Sequence, residues 1–327
     1  MNRIAIIALA VFLAGCTQTP QEKTQSAFND GLRQLDKGRI AQADSTFKRL
    51  RTESPSSPLG LFGAGLVLER QGQTVDALGT YLQVNKLERT FAPALMGMGR
   101  VFRRMGEFDL AAAAYQDCSN LPDSMSQAII GYAVAQCDNG WPQAALAAIK
   151  VADSIGADDE LTGLLRARIL VLQGKRDTAD LLFQKVFASA DRTPSTLTLA
   201  ADYLESRGLI DSAIALSTLA TEKRGAGYDQ LVEHFQRCLR HRYFWDARRT
   251  IDRVAADTAS LARLGLQIPY HLAQGDNFHA NKCADQFMRR GDNSIMSYIY
   301  ETDVRMPVGD IQTIASNSSA IPNMALH

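Results

Sequence analysis

Six glycines stand at equal intervals of 34 residues: Gly38, Gly72, Gly106, Gly140, Gly174 and Gly208. A fixed period of this length constrains the fold more than any other feature of the chain. It means one small structural unit copied along the sequence, each copy packing on the next. Five residues after each glycine comes an alanine: Ala43, Ala77, Ala111, Ala145, Ala179 and Ala213. Nine after come Phe47, Tyr81, Tyr115, Ile149, Phe183 and Ser217. Seven before come Gly31, Gly65, Gly99, Ala133, Ala167 and Ala201. A unit of this size holds two helices of about 13 residues and their turns. The glycine ends the first helix in a left-handed cap. The small residues let two helix backbones approach, and the large apolar residue fills the space between pairs.

Period and residue type together make the chain resemble the tetratricopeptide repeat family. The resemblance covers roughly residues 24 to 290. It implies an all-α fold, a right-handed solenoid of antiparallel helix pairs, over residues 25–290 with about seven to eight repeats. A seventh unit keeps the pattern with Arg242 in the turn position, followed by Ala247 and Ile251. An eighth, marked by Gly275, Ala280 and Phe287, is degenerate, and Pro269 is expected to interrupt its first helix. The family's proline near the end of each unit is in register only once, as Pro55, with Pro122 one residue off. Residues 291–327 are read as a capping helix, Ser294 to Arg305, and a tail.

The start of the chain carries a different signal. Met1-Asn2-Arg3 is followed by an apolar run from Ile4 to Ala14. That run is too short to span a hydrocarbon core of about 30 Å, and its order is that of a secretory signal. It ends in Leu13-Ala14-Gly15-Cys16, which resembles the lipobox of bacterial lipoproteins. The resemblance implies a signal peptide over 1–15, cleavage before Cys16, acylation of that cysteine and a lipidated tether over 16–24. Several acyl chains hold a protein stably at a bilayer where one is marginal. The residue after the cysteine is Thr17 rather than Asp, which favours the outer membrane, periplasm-facing, if the host has two membranes. With one membrane, the outer face of that membrane is expected.

Lys plus Arg and Asp plus Glu both number 35, so the formal net charge is zero. This argues against bulk nucleic-acid binding, which needs a basic excess. Partner recognition must then rest on local patches.

The resemblance implies that the first helix of each pair lines a concave groove. Its groove-facing positions include Phe62, Leu66, Met96, Arg100, Arg103, Arg104 and Arg168. The apolar members suit an amphipathic helix or extended segment of a partner. The three arginines of one helix turn either recognise a carboxylate-bearing segment or are solvated and paired with acids of the next unit, such as Asp138. The Lys and Asn set of the chaperone-tail clamp is missing.

Little catalytic chemistry is legible. No Walker loop and no Gly-x-Ser-x-Gly elbow occurs, and no cofactor or metal is expected. His234, Cys238 and His241 share a helix face at ligand-like spacing, but two of them fall at inward-packing positions. Cys118, Cys137, Cys238 and Cys283 admit disulfides in an exported protein, although the first two point different ways and read better as buried thiols. The expectation is a non-enzymatic, membrane-anchored scaffold of the cell envelope that binds protein partners and no nucleic acid. The alternatives are a carrier of a small ligand or glycan, or an envelope enzyme using the solenoid as a substrate platform.

Overall fold

The computed structural model describes residues 19–71, 73–121, 125–188, 192–224, 226–254 and 261–290. Cys16, the signal peptide, Gly72, Pro122 and the expected capping helix and tail lie outside them. The described residues form sixteen helices and no strand. In chain order they are α1 (Pro20–Asp36), α2 (Ile40–Glu53), α3 (Pro58–Arg70), α4 (Thr74–Leu87), α5 (Ala92–Arg104), α6 (Phe108–Ser119), α7 (Met125–Asp138) and α8 (Pro142–Ser154). They continue as α9 (Asp159–Leu172), α10 (Arg176–Val186), α11 (Pro194–Ser206), α12 (Ile210–Glu222), α13 (Tyr228–Arg240), α14 (Phe244–Val254), α15 (Leu261–Ala273) and α16 (Asn277–Arg290). They pair into eight antiparallel hairpins, and the odd-numbered helices also pack on one another, as α1 on α3 and α9 on α11.

The turns inside the hairpins share one geometry. Gly38 and Gly106 adopt φ of +70° and +78°, and the amide after each returns to a carbonyl of the preceding helix: Arg39 N to Gln34 O at 2.8 Å, Glu107 N to Phe102 O at 2.9 Å. Carbonyls at the helix end are satisfied this way. Arg242 makes the same turn at φ +63°, with Tyr243 N bonded to Cys238 O at 2.8 Å. It is the one non-glycine residue with positive φ among the described residues. First helices begin differently, with Thr19, Ser57 and Thr193 capping and Pro20, Pro58 and Pro194 opening the first turn. A hydroxyl accepting an early amide and a proline that needs none are the usual start.

Two expectations need correction. The tether is expected over residues 16–24, but α1 starts at Pro20, because Thr19 and Glu22 form a reciprocal capping box. Pro269 does not interrupt the eighth unit: it lies inside α15. The missing amide costs one hydrogen bond. Packing of Leu264, Ile268, Ala284 and Phe287 holds the helix together through it.

The glycine positions in the first helices have a shared cause. A Cβ on Gly31 or Gly63 would come within 2.4 Å of the Phe47 ring. Gly65 and Gly97 bracket Tyr81 in the same way, and Gly99 and Gly131 bracket Tyr115. Each aromatic ring is therefore clamped between a glycine of its own hairpin and one of the next. In the fourth hairpin the ring gives way to Ile149, packed in one cluster with Ala133 and Leu165.

Candidate functional site in the concave groove

The odd-numbered helices carry opposite charges that meet between neighbours. Glu69 on α3 is buried and accepts from the Tyr81 hydroxyl, from Arg100 Nη2 at 2.8 Å and from Arg104. Arg103 Nε on α5 donates to Asp138 Oδ2 on α7 at 2.7 Å, and Arg168 Nη2 on α9 donates to Asp138 Oδ1 at 2.6 Å. Arg168 Nη1 lies 3.9 Å from Asp202 Oδ2 on α11. Asp202 pairs with Arg237 on α13, whose Nε donates to Glu205 Oε2 at 2.8 Å. Glu205 also holds Arg240 at 3.1 Å and His241 Nε2 at 2.7 Å.

The chain of charges then closes on itself. Arg103 Nη1 donates to Glu233 Oε1 on α13 at 2.9 Å, across 130 residues. Asp229, one turn earlier on α13, lies 3.3 Å from Arg100 Nε and 3.4 Å from Arg104 Nη1. Arg70 sits over the Tyr228 ring at 5.4 Å. Helices α5, α7, α9, α11 and α13 thus form a ring of alternating charge, and hairpins two and three touch hairpin seven across the groove.

Electrostatics separate the carboxylates. Burial pushes Glu69 upward, but Arg100 and Arg104 outweigh it and hold the group at about 2. Glu205 is held at about 2 by Arg240 and Arg237 against the same penalty. Asp138 is lowered too: burial opposes, and Arg168 and Arg103 win. Glu233 is raised, because burial, Asp202 and Asp229 exceed the pull of Arg103 and Arg237. Inside the ring lies a cavity of about 530 Å³ whose lining includes Arg103, Asp138, Arg168, Glu233, Arg237 and Arg240. Arg168 Nη1 and Arg237 Nη1 are buried and lack a hydrogen-bond partner.

Of the residues singled out from sequence, Arg100, Arg103, Arg104 and Arg168 converge here, each paired with acids. Leu66 and Met96 are half-buried against the first core cluster. Phe62 belongs to the core rather than to an open groove face, because its ring is enclosed by Phe28 at 6.1 Å, Tyr81 at 5.5 Å and Phe91 at 5.3 Å. Asp229, Glu233 and Arg237 are the groove residues that sequence reasoning misses. The partners between neighbouring helices are separated by 30 to 36 residues, so opposite charges one period apart were the available signal.

His234 and Cys238 pack inside the seventh hairpin. Ser217, at the position of the aromatic, lies 2.7 Å from His234 Nδ1, and burial lowers that imidazole to about 4. His241 turns away to Glu205, so the three do not converge on one point. No disulfide joins Cys118, Cys137, Cys238 and Cys283; the first three are buried and Cys283 is half-buried. No helix among the described residues is long and apolar enough to cross a membrane.

A tetratricopeptide-repeat family model matches residues 93–124, a span that takes in most of the third hairpin. No curated protein sequence matches the chain. Similar solved structures include a tetratricopeptide repeat protein from Parabacteroides merdae, 15% identical over 85% of this chain and 97% of that one, with a TM-score of 0.47. Pseudomonas aeruginosa pilF is 14% identical over 65% of this chain and 97% of its own, TM-score 0.48. MamA from Desulfovibrio magneticus is 19% identical over 50% and 93%, TM-score 0.44. The described residues have the fold of a tetratricopeptide-type solenoid.

Proposed function

We propose that this solenoid is a non-enzymatic scaffold of the bacterial envelope, tethered by lipid on Cys16, that holds a carboxylate-bearing segment of a partner protein in its concave groove. One observation carries the reading. Arg168 and Arg237 line the groove cavity, and each keeps a buried Nη1 that makes no hydrogen bond, the Arg168 atom having only Asp202 Oδ2 at 3.9 Å. A buried N–H left unmade costs about 1–3 kcal/mol, and more when charged, so an incoming carboxylate gains by satisfying both. The lipid keeps the groove near the membrane surface, with the outer membrane as the favoured site.

The test is photo-crosslinking in intact cells, with the probe replacing Arg240 at the groove mouth and, as a control, Lys48 on the exposed face of α2. A protein captured from Arg240 and not from Lys48 supports the groove, and equal capture from both positions defeats it. Cys16→Ser should move the protein from the membrane to the soluble periplasmic fraction; unchanged fractionation would remove the lipid anchor. The cavity also favours a second reading, a small anionic ligand. It requires that purified chain retain a low-molecular-weight anion, seen by native mass spectrometry.

A further inference from the structure

The last hairpin turn repeats the geometry of the others with different side chains. Gly275 takes φ +76°, and Asp276 N returns to His271 O at 2.9 Å. Where a described glycine makes this turn, it sets the residue four before the glycine beside the one after it. In the third hairpin those positions hold Phe102 and Glu107, and in the fourth Gln136 and Trp141. In the eighth they hold His271 and Asp276, and His279 follows three residues later in the first turn of α16.

We infer that His271, Asp276 and His279 form a binding site for a divalent transition-metal ion of the zinc class. Asp276 Oδ2 lies 2.7 Å from His279 Nδ1 and 3.5 Å from His271 Nδ1. One donor atom from each residue falls within 4.8 Å of the others. Bonds of about 2.0–2.2 Å to a tetrahedral zinc ion put its donors roughly 3.3–3.6 Å apart. The set therefore needs only side-chain rotation to close on an ion. A second observation points the same way: His271 Nδ1 is shielded from water, and Asp276 Oδ2 at 3.5 Å is the one group the structure sets against it. Two imidazoles and one carboxylate suit zinc, nickel or copper better than calcium or magnesium.

The rest of the surroundings are compatible. Asp276 Oδ1 accepts the His279 amide at 3.1 Å as a helix cap, which leaves Oδ2 for the ion. The two imidazoles stack at 5.4 Å between centroids, and the His279 side chain is 55% exposed, so the remaining coordination position faces water. Arg248, the nearby cation, is 3.6 Å from Asp252. A bound ion would staple α15 to α16 at their shared turn and so close the end of the solenoid.

The experiment uses tag-free mature chain dialysed against Zn²⁺, with bound zinc counted by mass spectrometry and Co²⁺ absorption as a geometry probe. The expected result is one zinc per chain, a cobalt spectrum of low coordination number, and a melting temperature raised by zinc. His279→Ala and His271→Gln should each weaken binding at least about ten-fold, since even outer-shell changes cost about that much. Asp276→Asn keeps the cap, because Asn caps helices as well as Asp; it should fold as wild type and lose the zinc-induced rise. No zinc retained at micromolar free ion overturns the site. Binding that survives His279→Ala, a largely exposed position, overturns it as well.

Discussion

At the scale of single residues, the repeat is written mainly in glycine, and each glycine has its own reason. Gly63 meets the Phe47 ring, whereas Gly79 in α4 has no atom within 4 Å of its missing Cβ. Alanine is better than glycine in a helix by about 1 kcal/mol. Gly79→Ala should therefore stabilise the chain by that amount. Gly63→Ala should destabilise it by up to about 2 kcal/mol, because overpacking of about 1–3 kcal/mol outweighs the propensity gain of about 1 kcal/mol. Urea midpoints moving in opposite directions would check both. Arg242 occupies a left-handed turn that its six described glycine counterparts enter freely, and its Cβ is penalised by about 1 kcal/mol there. Arg242→Gly is expected to raise the midpoint by somewhat less than that, since glycine also loosens the unfolded chain.

At the scale of helices, the groove carboxylates fall into two kinds. Glu69 and Glu205 are held at about 2, below their ordinary value of 4.5. Their contribution is full above about pH 4.5 and is lost as pH falls toward 2, since the unfolded state then binds more protons. Urea unfolding followed from pH 6 to pH 2.5 should show stability falling through that window. Breaking a buried ion pair from one side costs about 3–5 kcal/mol. Glu69→Gln, which also leaves Arg104 and Arg100 underpaired, should cost about 3 kcal/mol at pH 7 and flatten the acid slope. Glu233 has the opposite sign: its raised pKa means that its ionisation opposes folding once pH exceeds the unfolded value. Glu233→Gln keeps an acceptor for Arg103 and should cost about 1 kcal/mol or less. Equal losses for the two variants would contradict this ranking.

At the scale of the whole molecule, Asp229 and Glu233 join hairpin seven to hairpin three and give the superhelix a fixed closure. A solenoid otherwise gathers its stability from neighbours in sequence, so such contacts bear on curvature more than on folding. Asp229→Asn combined with Glu233→Gln should widen the superhelix, raising the radius of gyration in small-angle X-ray scattering while leaving helix content unchanged. An unaltered radius would mean that the hairpin packing alone sets the curvature. The same variant frees Arg100 and Arg103 for a partner carboxylate, so crosslinking from Arg240 should increase with it.

By itself the sequence determined the unit, its period and most of its turns. Steric demands act within one hairpin or between adjacent ones, and they repeat every 34 residues: a left-handed turn at Gly106, a bare backbone facing Tyr81 at Gly97, a small crossing at Ala111. Even the groove pairs between neighbouring helices, such as Arg103 with Asp138, lie about one period apart and were legible as a possibility. Tertiary structure alone decided the rest. Whether Arg103 faces a partner or Glu233 depends on how far small rotations accumulate over four hairpins, and no local residue pattern encodes that sum. The enclosure of Phe62 and the meeting of His271 with His279 turn likewise on side-chain directions that the period leaves open.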